Sequence, residues 1–279
     1  MTLSILAHLV GPQSYKELPK TVRSYGFRGV QLALSKAITD LDSRLGRLSP
    51  GFAFAVADEF AKAGVHIPVL GCYFNMIHPN EEERQHGISR FKEHLRHARD
   101  FGASMVATET GSLNADYSFH PDNESEASWK KFKETLLPLV EAAESAGVMI
   151  AIEGCWDHVV STPERMQRML EEIGSERIGV VFDPCNLLHA GNIAQQDELM
   201  RSAFKLYGER ITAVHVKDIR RDEQHKLVSG AAGTGMLNYP LLWELLKEHK
   251  PMIHMILEGI DNTSDIPAAK SYMERICQP

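Results

Sequence analysis

Four phrases in this sequence end an apolar run on a group able to do chemistry. They are Ala151-Ile152-Glu153-Gly154, Val181-Phe182-Asp183-Pro184, Val214-His215-Val216-Lys217-Asp218 and Ile256-Leu257-Glu258-Gly259. An ionised side chain directly after several apolar residues is costly unless a positive charge compensates it. If Glu153, Asp183 and Glu258 converge they repel one another, so either one takes up a proton or a cation holds them apart. Three carboxylates and one imidazole, with no thiolate among them, suit a fairly hard divalent metal, Mn²⁺ first, with Mg²⁺, Co²⁺ or Zn²⁺ as alternatives. Any one acid in such a place is more often a helix cap or a surface ion pair than a ligand. Four in a row, at the ends of successive apolar runs, point to one site.

The elements that must position these groups are legible as an alternation of short β-branched runs with longer segments of helical period. Eight strands are expected, over Ser4–Val10, Gly29–Ala33, Val65–Tyr73, Met105–Thr108, Val148–Glu153, Ile178–Phe182, Ile211–Val216 and Met252–Leu257. Between them, Ser89–Phe101, Trp129–Ala146, Pro163–Ile173 and Tyr239–Lys247 carry apolar residues three and four apart, the pattern of helices covering a sheet. Gly26, Gly64, Gly102 and Gly147 stand where helices end in a left-handed residue. Ser161-Thr162-Pro163-Glu164 is a helix start, a hydroxyl cap with Pro in the first turn. Strands that each feed a helix imply parallel pairing, and the first strand is followed by His8-Leu9-Val10-Gly11-Pro12 rather than a glycine-rich phosphate turn. The expectation is an α/β fold, a closed (β/α)8 TIM barrel forming one domain over residues 1–279. In such a barrel the ends of the strands carry the working groups. Two longer irregular stretches, Ser35–Pro50 and Thr110–Ser128, read as insertions that belong to the site rather than as linkers.

Composition narrows the partners. With 30 Lys+Arg against 37 Asp+Glu the chain carries a net charge of −7, and no basic run is longer than Arg220-Arg221, which argues against nucleic acid. No apolar stretch approaches the roughly 18 residues of a membrane span, and the first residues have no cationic leader, so a cytoplasmic protein is expected. Cys72, Cys155, Cys185 and Cys277 form no C-x-x-C and read as reduced, packed thiols.

The order E-G after the fifth strand, F-D-P-x-N after the sixth, H-V-K-D at the seventh, Gly233-Thr234-Gly235-Met236-Leu237-Asn238-Tyr239 after it, and L-E-G at the eighth resembles the xylose isomerase-like TIM-barrel superfamily. Within it the sequence is most similar to the sugar phosphate isomerase/epimerase group, which includes tagatose/psicose 3-epimerases, hydroxypyruvate isomerases and inosose dehydratases. The resemblance implies that Glu153, Asp183, His215 and Glu258 are metal ligands, and that Glu153 and Glu258 also move a proton on opposite faces of a small carbohydrate. The implied activity is a divalent-metal-dependent isomerase or epimerase of a small sugar or keto-polyol, working through a metal-stabilised enediolate. One alternative is a metal-dependent dehydratase acting on an inosose-like or keto-sugar substrate, and another is a sugar-binding barrel without catalysis.

The chain departs from the epimerases at Asn186, where they carry a His that binds substrate oxygens; His189 lies three residues further on. By count Arg221 matches their substrate-binding Arg, with Arg220 adjacent. Lys217 is a candidate to hold a substrate oxygen or, alternatively, a solvated partner of Asp218. His8, Glu109, Trp156 and His158 could line the pocket, Trp156 offering an apolar face to a sugar ring. The superfamily's DNA-repair endonucleases have a D-x-H after the seventh strand that is missing here. The resemblance also implies pairing into dimers or tetramers.

Overall fold

The computed structural model describes residues 2–278. Eight parallel strands close into a barrel: β1 (Thr2–Leu6), β2 (Gly29–Leu32), β3 (His66–Gly71), β4 (Met105–Glu109), β5 (Met149–Glu153), β6 (Ile178–Phe182), β7 (Ile211–Val216) and, after a two-stranded hairpin, β10 (His254–Leu257). The hairpin consists of β8 (Asp218–Arg221) and β9 (Leu227–Gly230), paired antiparallel. Around the barrel run α1 (Leu18–Ser24), α2 (Leu34–Ala37), α3 (Pro50–Lys62), α4 (Glu81–His97), α5 (Glu126–Ala146), α6 (Pro163–Ile173), α7 (Gln196–Tyr207), α8 (Tyr239–His249) and α9 (Ile266–Ile276).

The interior of the barrel is filled by Leu6, Val69, Met105, Ala107, Ala151, Val181, Ala213 and Ile256, all buried. Side chains alternate faces along a strand, so the residue two positions beyond an interior one also points inward, one layer nearer the strand's C-terminal end. That rule takes Ala107 to Glu109, Ala151 to Glu153, Val181 to Asp183, Ala213 to His215 and on to Lys217, and Ile256 to Glu258. Apolar packing at the lower level thereby sets the direction of each polar group above it.

The helix signals behave as expected. Thr162 Oγ1 accepts from the Arg165 amide and Pro163 opens α6. Gly147 ends α5 at φ 67°, and Gly26, Gly64 and Gly102 have φ of 83°, 70° and 77°.

One expected strand is corrected. The strand expected over Ser4–Val10 stops at Leu6, and Ala7–Val10 forms one tight helical turn closed by the Gly11 amide on the His8 carbonyl (3.1 Å). Ala7 and Val10 are buried in that turn, so the apolar run continues where the extended backbone does not. His8 therefore belongs to the turn rather than to β1. The hairpin β8–β9 was not foreseen because Asp218–Lys226 is charged almost throughout and shows no alternation.

That hairpin is fastened by Asp218. Its buried carboxylate accepts from the amides of Ile219 (2.9 Å), Leu237 (3.0 Å) and Gly233 (3.0 Å), tying the Gly233–Tyr239 loop to the end of β7. Gly235 packs so closely beneath it that a Cβ would lie 2.2 Å from the Ile219 carbonyl oxygen. Lys217 and Asp218 do not pair. Consecutive residues face opposite ways, and Lys217 turns into the barrel mouth. Removing the clamp leaves three amides without their charged acceptor, so Asp218→Ala should lower the unfolding free energy by about 3 kcal/mol in urea denaturation. A change within experimental error would show that the loop is held by other means.

Candidate metal and active site

Glu153, Asp183, His215 and Glu258 each offer a donor atom, and these four atoms lie within 4.8 Å of one another at the C-terminal mouth of the barrel. His215 Nδ1 sits 3.1 Å from Glu153 Oε1 and 2.8 Å from Glu258 Oε2. Lys217 Nζ lies 3.0 Å from Asp183 Oδ2 and 3.0 Å from Glu258 Oε1. The backbone amides of Cys185 (2.8 Å) and Asn186 (3.3 Å) hold Asp183 Oδ1, while Oδ2 is buried and has only the ion pair to Lys217, with no aligned hydrogen bond. Asn186 Nδ2 donates to Glu153 Oε1 at 2.7 Å.

Burial and mutual charge pull these groups apart in proton affinity. Burial pushes Asp183 up to about 6, the adjacent Lys217 resisting and Glu258 and Glu153 adding to the rise. For Glu258, burial would also raise the pKa, but Lys217 and His215 outweigh it and hold the carboxyl well below the usual range. His215 moves the other way: burial disfavours its charge, yet Glu153 and Glu258 raise its affinity for a proton well above that of a free imidazole. Lys217 is likewise buried and kept charged by Asp183, Glu258 and Glu153. Three carboxylates therefore face one ammonium and an imidazole that is drawn toward protonation. A divalent cation on a neutral imidazole would balance the same charges, and Asp183 Oδ2 offers it an oxygen with no aligned hydrogen bond. The donor set fits a hard or borderline metal ion.

Beside these residues opens a pocket of about 570 Å³ lined by His8, Lys36, Tyr73, Glu109, Tyr117, Glu153, Glu258 and Asp261 among others. Glu109 stands next to Glu153 across the β4–β5 ladder, and burial, reinforced by Glu153 and Glu258, pushes its carboxyl up to about 8. His8 is held below its ordinary pKa by burial and by Lys36, and its Nδ1 has no hydrogen-bond partner. Both insertions reach this wall, Ser35–Pro50 through Lys36 and Thr110–Ser128 through Tyr117.

Other expected residues are placed elsewhere. Trp156 lies in another cavity of about 420 Å³ with Asn186 and His189, its ring 5.9 Å from Phe119 (stacked) and 5.3 Å from His189. Arg221 is not brought to the mouth. It is exposed on the hairpin, with Nη1 on the His225 carbonyl (2.9 Å), and Arg220 beside it is exposed too. Cys155 and Cys185 have thiols pushed well above their usual pKa by burial, and all four cysteines are free. Cys155, Asp157 and His158 cluster as well. His158 Nδ1, however, receives the Gly111 amide at 3.4 Å, which leaves the proton on Nε2 and no lone pair there for an ion.

Gln31, Lys36, Tyr73 and Tyr117 were missed. Gln31 had a signal, an amide inside the otherwise apolar strand Gly29-Val30-Gln31-Leu32. Lys36 lies in the short α2 and Tyr73 and Tyr117 in loops, and their residue types are unremarkable for a surface.

Residues 19–276 match the model of the family described as Xylose isomerase-like TIM barrel, and the chain belongs to that family. Among curated relatives, an inosose dehydratase of Lacticaseibacillus casei is 23% identical over 203 residues, 66% of this chain and 66% of its own length. A putative L-ribulose-5-phosphate 3-epimerase of Escherichia coli K12 is 25% identical over 211 residues, 74% of this chain and 68% of its own. The chain thus spans about two thirds of the relatives it matches. Among solved structures, a D-psicose 3-epimerase from Clostridium cellulolyticum superposes with a TM-score of 0.75 at 13% identity, covering 100% of both chains. The IOLI protein with a bound zinc atom gives 0.75 at 16% identity, covering 99% of this chain and 98% of its own. These likenesses show the fold.

Elemental analysis of the purified protein should find about one divalent cation per chain, lost in both Asp183→Ala and His215→Ala. Wild-type metal content in either variant would contradict a four-residue site.

Proposed function

We propose that this chain is a divalent-metal-dependent isomerase or epimerase of a small keto-sugar or keto-polyol. The observation that carries the reading is the placement of Glu153 and Glu258: both line the same pocket and both contact His215 Nδ1. Glu153, Asp183, His215 and Glu258 would hold the cation, Mn²⁺ first among hard ions, which supplies a Lewis acid that acidifies the carbon beside a carbonyl.

The chain's own residues then divide the work. One carboxylate takes the proton from carbon, giving an enediolate, and the other returns it on the opposite face, inverting that carbon. If the same carboxylate returns it to the neighbouring carbon, the product is an aldose/ketose isomer. Asn186 donates to Glu153 Oε1, which leaves Oε2 as the oxygen to carry the proton. Lys217 holds the acids in register and balances their charge. His8 and Glu109, which line the pocket, offer hydrogen bonds to substrate hydroxyls.

A second reading is favoured by Glu109. Burial raises the proton affinity of Glu109 beside Glu153, so its carboxyl can deliver a proton to a departing β-hydroxyl, which would make the enzyme a dehydratase. The inosose dehydratase relatives support this reading as well. Four free thiols support a reducing, cytoplasmic setting, and among the described residues no helix is long and apolar enough to cross a membrane. We read the barrel as the whole catalytic unit, with a carbohydrate as its partner.

Incubation of the Mn²⁺-loaded protein with ketoses and inososes in deuterated water separates the readings. Solvent deuterium at carbon without loss of water supports the isomerase or epimerase, and release of water supports the dehydratase. Glu153→Gln and Glu258→Gln should each lower kcat by about a thousandfold while retaining the wild-type melting temperature. Wild-type rates in either variant would overturn the proton-transfer roles.

A further inference from the structure

We infer that Gln31 is a positioning residue that fixes the tautomer of His215, so that Nδ1 is free for a cation. This rests on the reading that Glu153, Asp183, His215 and Glu258 hold a metal. Gln31 lies in β2, points into the barrel and is 1% exposed. A buried amide is costly unless both of its ends find partners. Here they do. Gln31 Oε1 is 3.0 Å from His215 Nε2, and Gln31 Nε2 donates to the Tyr73 hydroxyl.

The direction of these bonds is set by elementary donor and acceptor chemistry. An amide oxygen only accepts, so the His215 nitrogen facing it carries a hydrogen. On a neutral ring the lone pair then sits on Nδ1, the atom 3.1 Å from Glu153 and 2.8 Å from Glu258. Were the amide turned over, its NH₂ would face the ring, the proton would move to Nδ1 and the lone pair would point away from the carboxylates. In the structure the Tyr73 hydroxyl takes the NH₂ end of the amide, which leaves the carbonyl end facing His215.

Room has been made for this arrangement. A Cβ on Gly71 would lie 2.9 Å from Tyr73 Cε2 and 3.3 Å from the Ala33 Cβ, so a larger residue would displace the ring that holds the amide. The outer face of Tyr73 belongs to the pocket, with Lys36 Nζ 5.1 Å from the ring centre. Tyr73, Gln31 and His215 therefore form a continuous chain from the pocket wall to the candidate ligand. Outer partners of this kind fix ring orientation and typically contribute 10- to 100-fold in metal affinity.

The test is Mn²⁺ alone titrated into the metal-free protein, with free Mn²⁺ read by electron paramagnetic resonance and the melting temperature of each metal-free variant recorded alongside. Gln31→Leu should weaken Mn²⁺ binding by about 10- to 100-fold. Gln31→Glu, which keeps an acceptor at the same place, should bind Mn²⁺ more tightly than Gln31→Leu. Tyr73→Phe should weaken binding in the same direction by less than Gln31→Leu. Should Gln31→Leu fail to fold, Tyr73→Phe decides: wild-type affinity in it overturns the inference. Wild-type affinity in a folded Gln31→Leu overturns it too, while leaving the metal site itself standing. Failure of the wild-type protein to bind Mn²⁺ overturns both.

Discussion

The mutual repulsion of Glu153, Asp183 and Glu258 is the constraint on which the rest of the structure depends. Each ends a run of buried residues, and each would sit more comfortably in water. They are held together by Lys217, which bridges Asp183 and Glu258, and by His215, which bridges Glu153 and Glu258. The cost of burying four ionisable groups, with Glu258 partly exposed beside them, is offset only if their charges are balanced closely. With the basic side chains alone, Glu153 and Glu258 draw His215 toward protonation, and burial raises Asp183 against the pull of Lys217. A cation relieves both tensions at once.

Everything beneath the site serves to aim these side chains. The barrel's interior layer of Ala107, Ala151, Val181, Ala213 and Ile256 is packed and apolar, and the two-residue period of a strand carries that direction upward to the polar layer. Beyond the strands, Asp218 ties down the loop after β7 through three amides, and two of the backbone amides after β6 orient Asp183. Backbone amides thus hold Asp183 inside the site and Asp218 behind it.

The part of this arrangement that was legible in the sequence is the part encoded by periodicity. Barrel topology, the bounds of α6 and the residues ending β5, β6, β7 and β10 follow from apolar alternation and cap chemistry, which are local signals. What escaped is encoded in contacts between distant segments. Nothing near Gln31 says that it faces His215, since that meeting depends on the closure of β2 against the far side of the barrel. Lys217 could be read as solvated beside Asp218 because sequence adjacency suggests pairing, whereas alternation sends the two to opposite faces. Arg221 matched a family position by count, but the hairpin carries it out to solvent. His8 was assigned to a strand because burial continues through a turn that apolar content alone cannot distinguish from extended backbone.

The central claim is that one cation occupies the space between four side chains on β5, β6, β7 and β10. Crystals soaked in Mn²⁺ and measured at the manganese absorption edge test it most directly. The account predicts a single anomalous peak within about 2.0–2.4 Å of Glu153, Asp183, His215 Nδ1 and Glu258. A map with no peak there, or with a peak on His215 Nε2 or at the Cys155–His158 turn instead, would contradict it.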